Sequence, residues 1–226
     1  MSGGRYYADK LSAQRLQHVY DIAPPRVKRY LEAEIEHVLD RIGTGDAVLE
    51  LGCGYGRVLE RLATVARIAV GIDTSRSSLL LAREMYGASR GFHLALMDAA
   101  ALGFADRLFD AVVCVQNGIS AFKVDRRELM CESIRVARPG GRVFFSSYSE
   151  RFWDDRLQWF ELQAAQGLLG EIDLEATGDG VIVCKDGFRA TTVGPDDFAV
   201  LAGELGLDAR IEEVDGSSIF CEIEVR

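Results

Sequence analysis

From Ser12 to Ile42 apolar residues recur three or four apart, as at Val27, Leu31, Ile35, Val38 and Leu39, and Pro24-Pro25 interrupts the run. That period predicts two helices. Turn chemistry at Gly43-Thr44-Gly45-Asp46 gives way to AVLELG, which reads as a short buried strand. One theme then repeats. GYGRVLERLATVA reads as a helix, IAVGID as a strand, SRSSLLLAREMYG as a helix capped by Ser75, and FHLALMD and FDAVVCVQN as strands. A helix from about Asp125 to Ala137 leads through the turn Pro139-Gly140-Gly141 into the strand GRVFFSSYS. Strands apolar on both faces, alternating with helices, belong in a parallel sheet covered on both sides. The expected architecture is doubly wound α/β.

Between Glu150 and Val193 the rhythm changes. An aromatic, helical stretch, ERFWDDRLQWFELQAAQGLL, precedes three short β-like runs, IDLEAT, GVIVCK and FRATTV, joined at Gly178-Asp179-Gly180 and Asp186-Gly187. Both junctions are hairpin signals. After Gly194-Pro195 come a helix, DDFAVLAGELG, and a terminal hairpin, ARIEEVD and SIFCEIEVR, turning at Asp215-Gly216. These patterns divide a single domain, residues 1–226, into a helical lid (1–42), a core (43–149), an insertion (150–193) and a C-terminal helix and hairpin (194–226).

A chain of 226 residues with 48% hydrophobic content can fill one large α/β core. Its net charge of −9 is uneven: from Glu150 onward 18 acidic residues face 6 basic ones, leaving about +3 for the first 149. The second half is a poor partner for a polyanion, which disfavours nucleic acid. Five well-separated cysteines, Cys53, Cys114, Cys131, Cys184 and Cys221, include no C-x-x-C pair and read as free thiols in a reducing cytoplasm. The opening MSGGRYYADKLSAQ has no apolar leader core, and no apolar run approaches the ~18 residues of a membrane span. A cytoplasmic protein is expected.

The chemistry concentrates at E-L-G-C-G-Y-G (Glu50 to Gly56), where a strand meets a helix across glycines that permit unusual φ angles and close approach of a ligand. A tight strand-to-helix turn alone would explain those glycines. Asp73 adds to them: it ends the next strand, 21 residues after Gly52, where a carboxylate can accept hydrogen bonds from both ribose hydroxyls of an adenosine. Met97-Asp98-Ala99 ends the third strand, where Asp98 could accept from an adenine amino group and the Ala99 N–H could donate to the ring. Val115-Gln116-Asn117 ends the fourth. Ligands of open α/β sheets lie outside the carboxyl ends of the strands, so four strand ends converge on one crevice.

The order ELGCGYG, GIDTS, LMDAAAL with LFDAVVC, and VARPGGRVF resembles the class I S-adenosylmethionine-dependent methyltransferases over about Gly45 to Ser147. The resemblance implies a Rossmann-like seven-stranded sheet of order 3-2-1-4-5-7-6 with the last strand antiparallel, and S-adenosylmethionine as cofactor. It implies that Gly52, Cys53 and Gly54 meet the methionine moiety, Asp73 and Thr74 the ribose, and Met97, Asp98 and Ala99 the adenine, with Gln116 near the methionine end. Tyr20 becomes a candidate lid contact, with packing between helices as its other reading.

Methyl transfer from a sulfonium is an in-line displacement, so the protein must chiefly orient the acceptor and exclude water. Asn117 and Tyr148, at the ends of the fourth and fifth strands, are the candidate acceptor-orienting residues. Gln116-Asn117-Gly118-Ile119 departs from the N-P-P-Y type signature of methyltransferases acting on exocyclic amino groups, which lowers nucleobases as acceptors and leaves a small molecule. The aromatic residues Phe152, Trp153, Trp159 and Phe160 could line an acceptor pocket or pack the insertion onto the sheet. Cys53 is expected to act through its backbone, and scattered cysteines disfavour arsenite as acceptor. No metal site is expected, since His18, His37 and His93 have no ligand partners at metal-binding spacing. Two rival functions remain. One is a catalytically silent cofactor-binding module that supports a partner protein. The other is a nicotinamide-dependent oxidoreductase, whose G-x-G-x-x-G fingerprint is broken by Arg57.

Overall fold

The computed structural model describes residues 11–87 and 91–226; the reading of residues 1–10 as lacking a leader lies outside them. Two helices come first, α1 (Gln14–Asp21) and α2 (Pro25–Leu39). Pro25 occupies the first turn of α2, where its missing N–H breaks no helical bond. The core alternates as expected: β1 (Ala47–Leu51), α3 (Arg57–Leu62), β2 (Ile68–Asp73), α4 (Arg76–Tyr86), β3 (Phe92–Leu96) and β4 (Phe109–Cys114). A one-turn helix α5 (Gly118–Ala121), not foreseen in the sequence, precedes α6 (Arg126–Val136) and β5 (Ala137–Tyr148). Ser75 caps α4 as expected, its hydroxyl accepting the Ser78 N–H at 3.2 Å.

Within 150–193 a 3-10 turn (Glu150–Phe152) leads into α7 (Trp153–Ala165), and β6 (Ile182–Val183) pairs antiparallel with β7 (Arg189–Ala190). Isolated bridges Ile172↔Cys184 and Gly178↔Val181 complete the pairing at both glycine junctions, so the three β-like runs shrink to short pieces. Last come α8 (Pro195–Glu204), β8 (Ala209–Val214) and β9 (Ser218–Glu224). Asp215 (φ 54°) and Gly216 (φ 61°) both take the left-handed conformation that a two-residue hairpin turn requires.

The seven-stranded sheet has the order β3-β2-β1-β4-β5-β9-β8; β1 to β5 run parallel and β9 joins β5 antiparallel. Counting only its own strands, that is the expected 3-2-1-4-5-7-6. β5 begins earlier than its sequence suggests. Phe109 pairs with Ala137, the register slips, and Ala111 pairs with Arg142, so Pro139-Gly140-Gly141 bulges inside the strand rather than preceding it. Gly141 is required there: a Cβ would lie 2.8 Å from the Arg138 carbonyl oxygen and 2.9 Å from that of Asp110.

Period-two alternation sends Leu49, Leu51, Val112, Cys114, Val143 and Phe145 into one core face, and Val48, Ala111, Val113 and Phe144 into the other, against Ile35, Val38, Val58 and Leu62. A third apolar cluster joins Val19, Val27, Tyr30 and Leu31 of the first two helices to Phe152, Trp159 and Phe160 of the insertion. The Trp159 indole N–H donates to the Val19 carbonyl at 3.0 Å, which fixes α7 against α1. No helix among the described residues is long and apolar enough to cross a membrane.

The buried charged residues of this frame include Glu34. Glu34 of α2 is fully enclosed, and its carboxylate accepts the Gln116 N–H at 2.7 Å at the end of β4. Burial lifts its pKa from an ordinary 4.5 to about 7, against the hydrogen bonds from Ser218, Ser146 and Gln116 and the charge of Arg57. Because the folded-state value is raised, the stability Glu34 contributes is fully present below about pH 4.5 and lost as pH rises through 7. Glu34→Gln keeps an acceptor but removes that titration. The variant should be more stable than the parent at pH 8, by up to ~3 kcal/mol, and nearly equal to it at pH 5. Urea unfolding at both pH values checks this; an equal offset at the two would refute the assignment.

Candidate cofactor and acceptor cleft

Beyond Leu51 the chain turns through Gly52 (φ 73°), Gly54 (φ 54°) and Gly56 (φ 89°) into α3. Side chains resist these angles, and a Cβ at Gly52 would also enter the ring of Phe122. Asp73 ties this turn to β2: one carboxylate oxygen accepts the Gly54 N–H at 2.8 Å, the other the Ser75 N–H at 2.7 Å. Burial raises the Asp73 pKa, opposed by the N–H groups of Ser75, Gly54 and Thr74. At the end of β3, Asp98 folds back to accept the Ala100 N–H at 2.9 Å and stays exposed, while Ala99 is buried.

At the end of β4, Gln116 (φ 57°) and Asn117 (φ 62°) are consecutive non-glycine residues in the left-handed region, and Lys123 (φ 57°) follows six residues on. Such angles persist only where surroundings enforce them, and they cluster at functional sites. Here the Gln116 N–H is shared between the Glu34 carboxylate at 2.7 Å and the Ser146 hydroxyl at 2.8 Å. The Asn117 side-chain amide donates to the Thr191 carbonyl at 3.0 Å and accepts from the Ser147 hydroxyl at 2.8 Å. Ser147 in turn accepts the Val193 N–H at 2.8 Å. The Asn117 side chain therefore anchors the insertion to the sheet.

These four strand ends open into one cavity of about 650 Å³, within the range of small-molecule clefts. Tyr20, Gly52, Gly54, Asp73, Thr74, Met97, Asp98, Ala99, Gln116, Asn117 and Tyr148 line it; Cys53, Gly56, Phe152 and Trp153 do not. The Cys53 side chain turns away to pack with Leu59, Ala69 and Leu79, and burial holds its thiol well above the ordinary range, so it is no nucleophile. Tyr20 both faces the cavity and packs between elements. It lines the cavity, its hydroxyl lies 3.5 Å from the Gln116 side-chain oxygen, and its ring packs 6.2 Å from that of Trp159. The aromatic stretch divides in the same way: Trp159 and Phe160 line the cavity, while Phe152 is fully buried against Tyr30 and Tyr148. Burial pushes the Tyr148 phenol up, so it stays neutral and acts only as a hydrogen-bonding group.

Two residues given no role in the sequence reading stand beside this cleft. Glu50 is buried at the end of β1, and its pKa rises to about 8 through desolvation, opposed by Arg57 and reinforced by Asp73. Arg57, at the start of α3, lays its guanidinium 4.6 Å from the Tyr20 ring centroid. One Glu50 carboxylate oxygen, the Gln116 side-chain nitrogen and two Arg57 guanidinium nitrogens are buried without a hydrogen-bond partner among the described residues. The available signal was a charge in the otherwise apolar run AVLEL, and likewise Glu34 on the apolar face marked by Leu31, Ile35 and Val38.

Tertiary packing also brings His37 beside Glu212 and Glu222, although nothing in the local spacing suggested it. Arg41 bridges both carboxylates at 3.2 Å, and burial first, then Arg41, lowers the His37 pKa to about 4. This is an ion-pair network on the far side of α2. Among the described residues no group of three possible metal ligands includes a cysteine.

Residues 48–141 match the family profile described as a methyltransferase domain. The chain is 30% identical over 178 residues to 2-methyl-6-phytyl-1,4-hydroquinone methyltransferase of Synechocystis sp., covering 74% of this chain and 53% of that protein. The chain spans about half or less of the length of the first curated relatives it matches. Among solved structures, the CcbJ methyltransferase of Streptomyces caelestis superposes with a TM-score of 0.68 at 17% identity, covering 98% of each chain. The N-methyltransferase NodS of Bradyrhizobium japonicum, in complex with S-adenosylhomocysteine, gives 0.62 at 15% identity, covering 100% of this chain and 99% of that one. At those identities the two structures share the fold. Sheet order, the motifs at four strand ends and the profile match agree: residues 48–141 form a methyltransferase domain on a Rossmann-like fold.

Proposed function

We propose that the protein transfers a methyl group from S-adenosylmethionine to a small-molecule acceptor. The observation that carries this reading is the convergence of the first four strand ends on one cavity containing the glycine turn and Asp73. When bound, the cofactor supplies an activated methyl group on a sulfonium; the residues of the chain bind, orient and exclude water.

The partnerless polar atoms fit an amino-acid moiety: Arg57 would pair with its carboxylate, and the Gln116 side chain and the backbone of Gly52, Cys53 and Gly54 would meet the rest. Asp73 and Thr74 would hold the ribose. Met97, Asp98 and the Ala99 N–H would meet the adenine, with Tyr20 closing over the cleft. The carboxylates that line the cavity, Glu50, Asp73 and Asp98, belong to this cofactor half.

The acceptor half is bounded by Trp159, Phe160, Gln163 and Tyr148, with no histidine among the lining residues. The neutral Tyr148 phenol would orient the acceptor, and Asn117 would act through its backbone, since its amide is engaged with Thr191 and Ser147. A half-site without a histidine or carboxylate base suits an acceptor atom that needs none, such as an amine or an already ionised oxygen or sulfur. Formation of S-adenosylhomocysteine across an acceptor panel tests the activity. Tight cofactor binding with no turnover, together with a stable co-purifying protein, would instead support a silent binding module.

Asp73→Ala should weaken S-adenosylhomocysteine binding by about 1.5–3 kcal/mol, measured by calorimetry, as expected for lost hydrogen bonds to a charged group. Unchanged affinity in the folded variant would remove Asp73 from the ribose site. Arg57→Met should weaken S-adenosylhomocysteine roughly tenfold yet leave methylthioadenosine, which has no carboxylate, bound as before. Equal losses for both ligands would mean that Arg57 only packs against Tyr20.

A further inference from the structure

Helix α7 buries four side chains, Arg156, Trp159, Phe160 and Gln163, at the spacing of one helical face. Three of them have tasks within the fold. Arg156 donates to the Gly180 carbonyl at 2.9 Å and the Ala190 carbonyl at 3.1 Å, the Trp159 indole N–H donates to the Val19 carbonyl, and the Phe160 ring packs 6.2 Å from that of Phe188. Gln163 is different. It is only 2% exposed and lines the cavity, yet its side-chain amide makes no hydrogen bond to any described residue. An enclosed amide needs partners, so those of Gln163 must come from the cavity it lines.

The backbone that carries this amide is fixed. At the end of α7 the Leu168 N–H donates to the Gln163 carbonyl at 2.9 Å and the Gly167 N–H to the Ala164 carbonyl at 2.9 Å, with Gly167 left-handed at φ 65°. Arg15, in the first turn of α1, then donates to the carbonyls of Gly167 at 2.8 Å and Leu168 at 3.2 Å. Gln163 follows Trp159 and Phe160 by one turn on the same face, and all three line the cavity together with Tyr148. A polar group ordered on folding, with its hydrogen-bonding capacity unspent, can bind a ligand without a further ordering cost.

We propose that Gln163 determines which acceptor the cavity admits: its amide hydrogen-bonds a hydroxyl, carbonyl or carboxamide group of a small molecule whose apolar or aromatic body lies against Trp159 and Phe160. This inference rests on the reading of the cavity as a methyl-transfer site and adds to it a recognition residue and the chemical class that residue selects. The amide both donates and accepts and carries no titrating proton, so it orients the acceptor and takes no part in proton transfer. A molecule that lacks a matching group leaves the amide unpaired, and that penalty discriminates against it.

The test titrates the full chain with benzamide, phenol and fluorobenzene, followed by ligand-observed NMR, with and without saturating S-adenosylhomocysteine. Fluorobenzene offers the ring with no hydrogen to donate. Benzamide or phenol should bind about tenfold more tightly than fluorobenzene. In Gln163→Met, which keeps the side chain's length and removes the amide, that preference should fall to about twofold or less, with fluorobenzene and S-adenosylhomocysteine bound as before. The same variant should unfold at an equal or higher temperature, since an amide without a partner in the fold holds nothing together. Gln163→Leu should repeat both results, and it decides the matter where the methionine variant loses stability. Equal affinity for the three probes, no binding by any of them, a preference that survives the substitutions, or a lower unfolding temperature in both variants would overturn the proposal. If S-adenosylhomocysteine itself fails to bind, the cofactor reading falls separately, and Gln163 is judged on the titrations made without it.

Discussion

The hydrogen bonds of one backbone N–H organise the cleft. Gln116, at the end of β4, shares its N–H between the carboxylate of Glu34 and the hydroxyl of Ser146, so that α2, β4 and β5 meet at a single point. The chain there takes two successive left-handed residues, a conformation that costs energy and needs enforcement. Ser147 and Asn117 extend the same knot to Thr191 and Val193 of the insertion. The second helix, the sheet and residues 150–193 are therefore all tied to one strand end that lines the cavity. The expense is a buried carboxylate whose charge is disfavoured, and the structure carries it at the place where geometry matters most.

The electrostatics of the cleft follow from the same division. Glu50, Asp73 and Asp98 line the cavity, and Asp73 accepts the N–H groups of Gly54 in the glycine turn and of Ser75 after β2. Lys123 also lines the cavity. Burial pushes the thiols of Cys53, Cys114, Cys184 and Cys221 upward, so none of these four supplies a ready nucleophile. The work left to the protein is orientation.

Much of this could be read along the chain because it is local. The hydrophobic period placed the two opening helices and every strand of the large sheet to within a few residues, and Asp215-Gly216 marked the terminal hairpin. The glycine turn and Asp73 are spaced by the length of one βα unit, so their meeting is encoded in the strand–helix rhythm itself. What a local reading misses is contact between residues far apart in the chain. Glu34 finds Gln116 across 82 positions, Asn117 finds Thr191 across 74, and Arg41 finds Glu212 across 171. The bulge at Pro139-Gly140-Gly141 escaped for a related reason: the segment reads as a turn until the register of β4 draws it into the sheet.

The sequence by itself determined the alternation of strands and helices, the glycine turn, and the acidic residues at successive strand ends. Each of these is a local property of side-chain period or backbone freedom. Only the tertiary structure decided that Cys53 turns inward, that the Asn117 amide is consumed by the insertion, and that Glu34 is buried against the end of β4. Those outcomes depend on which segments pack together, and packing is a property of the whole chain, since burial and charge at any point are set by neighbours that the local pattern does not specify.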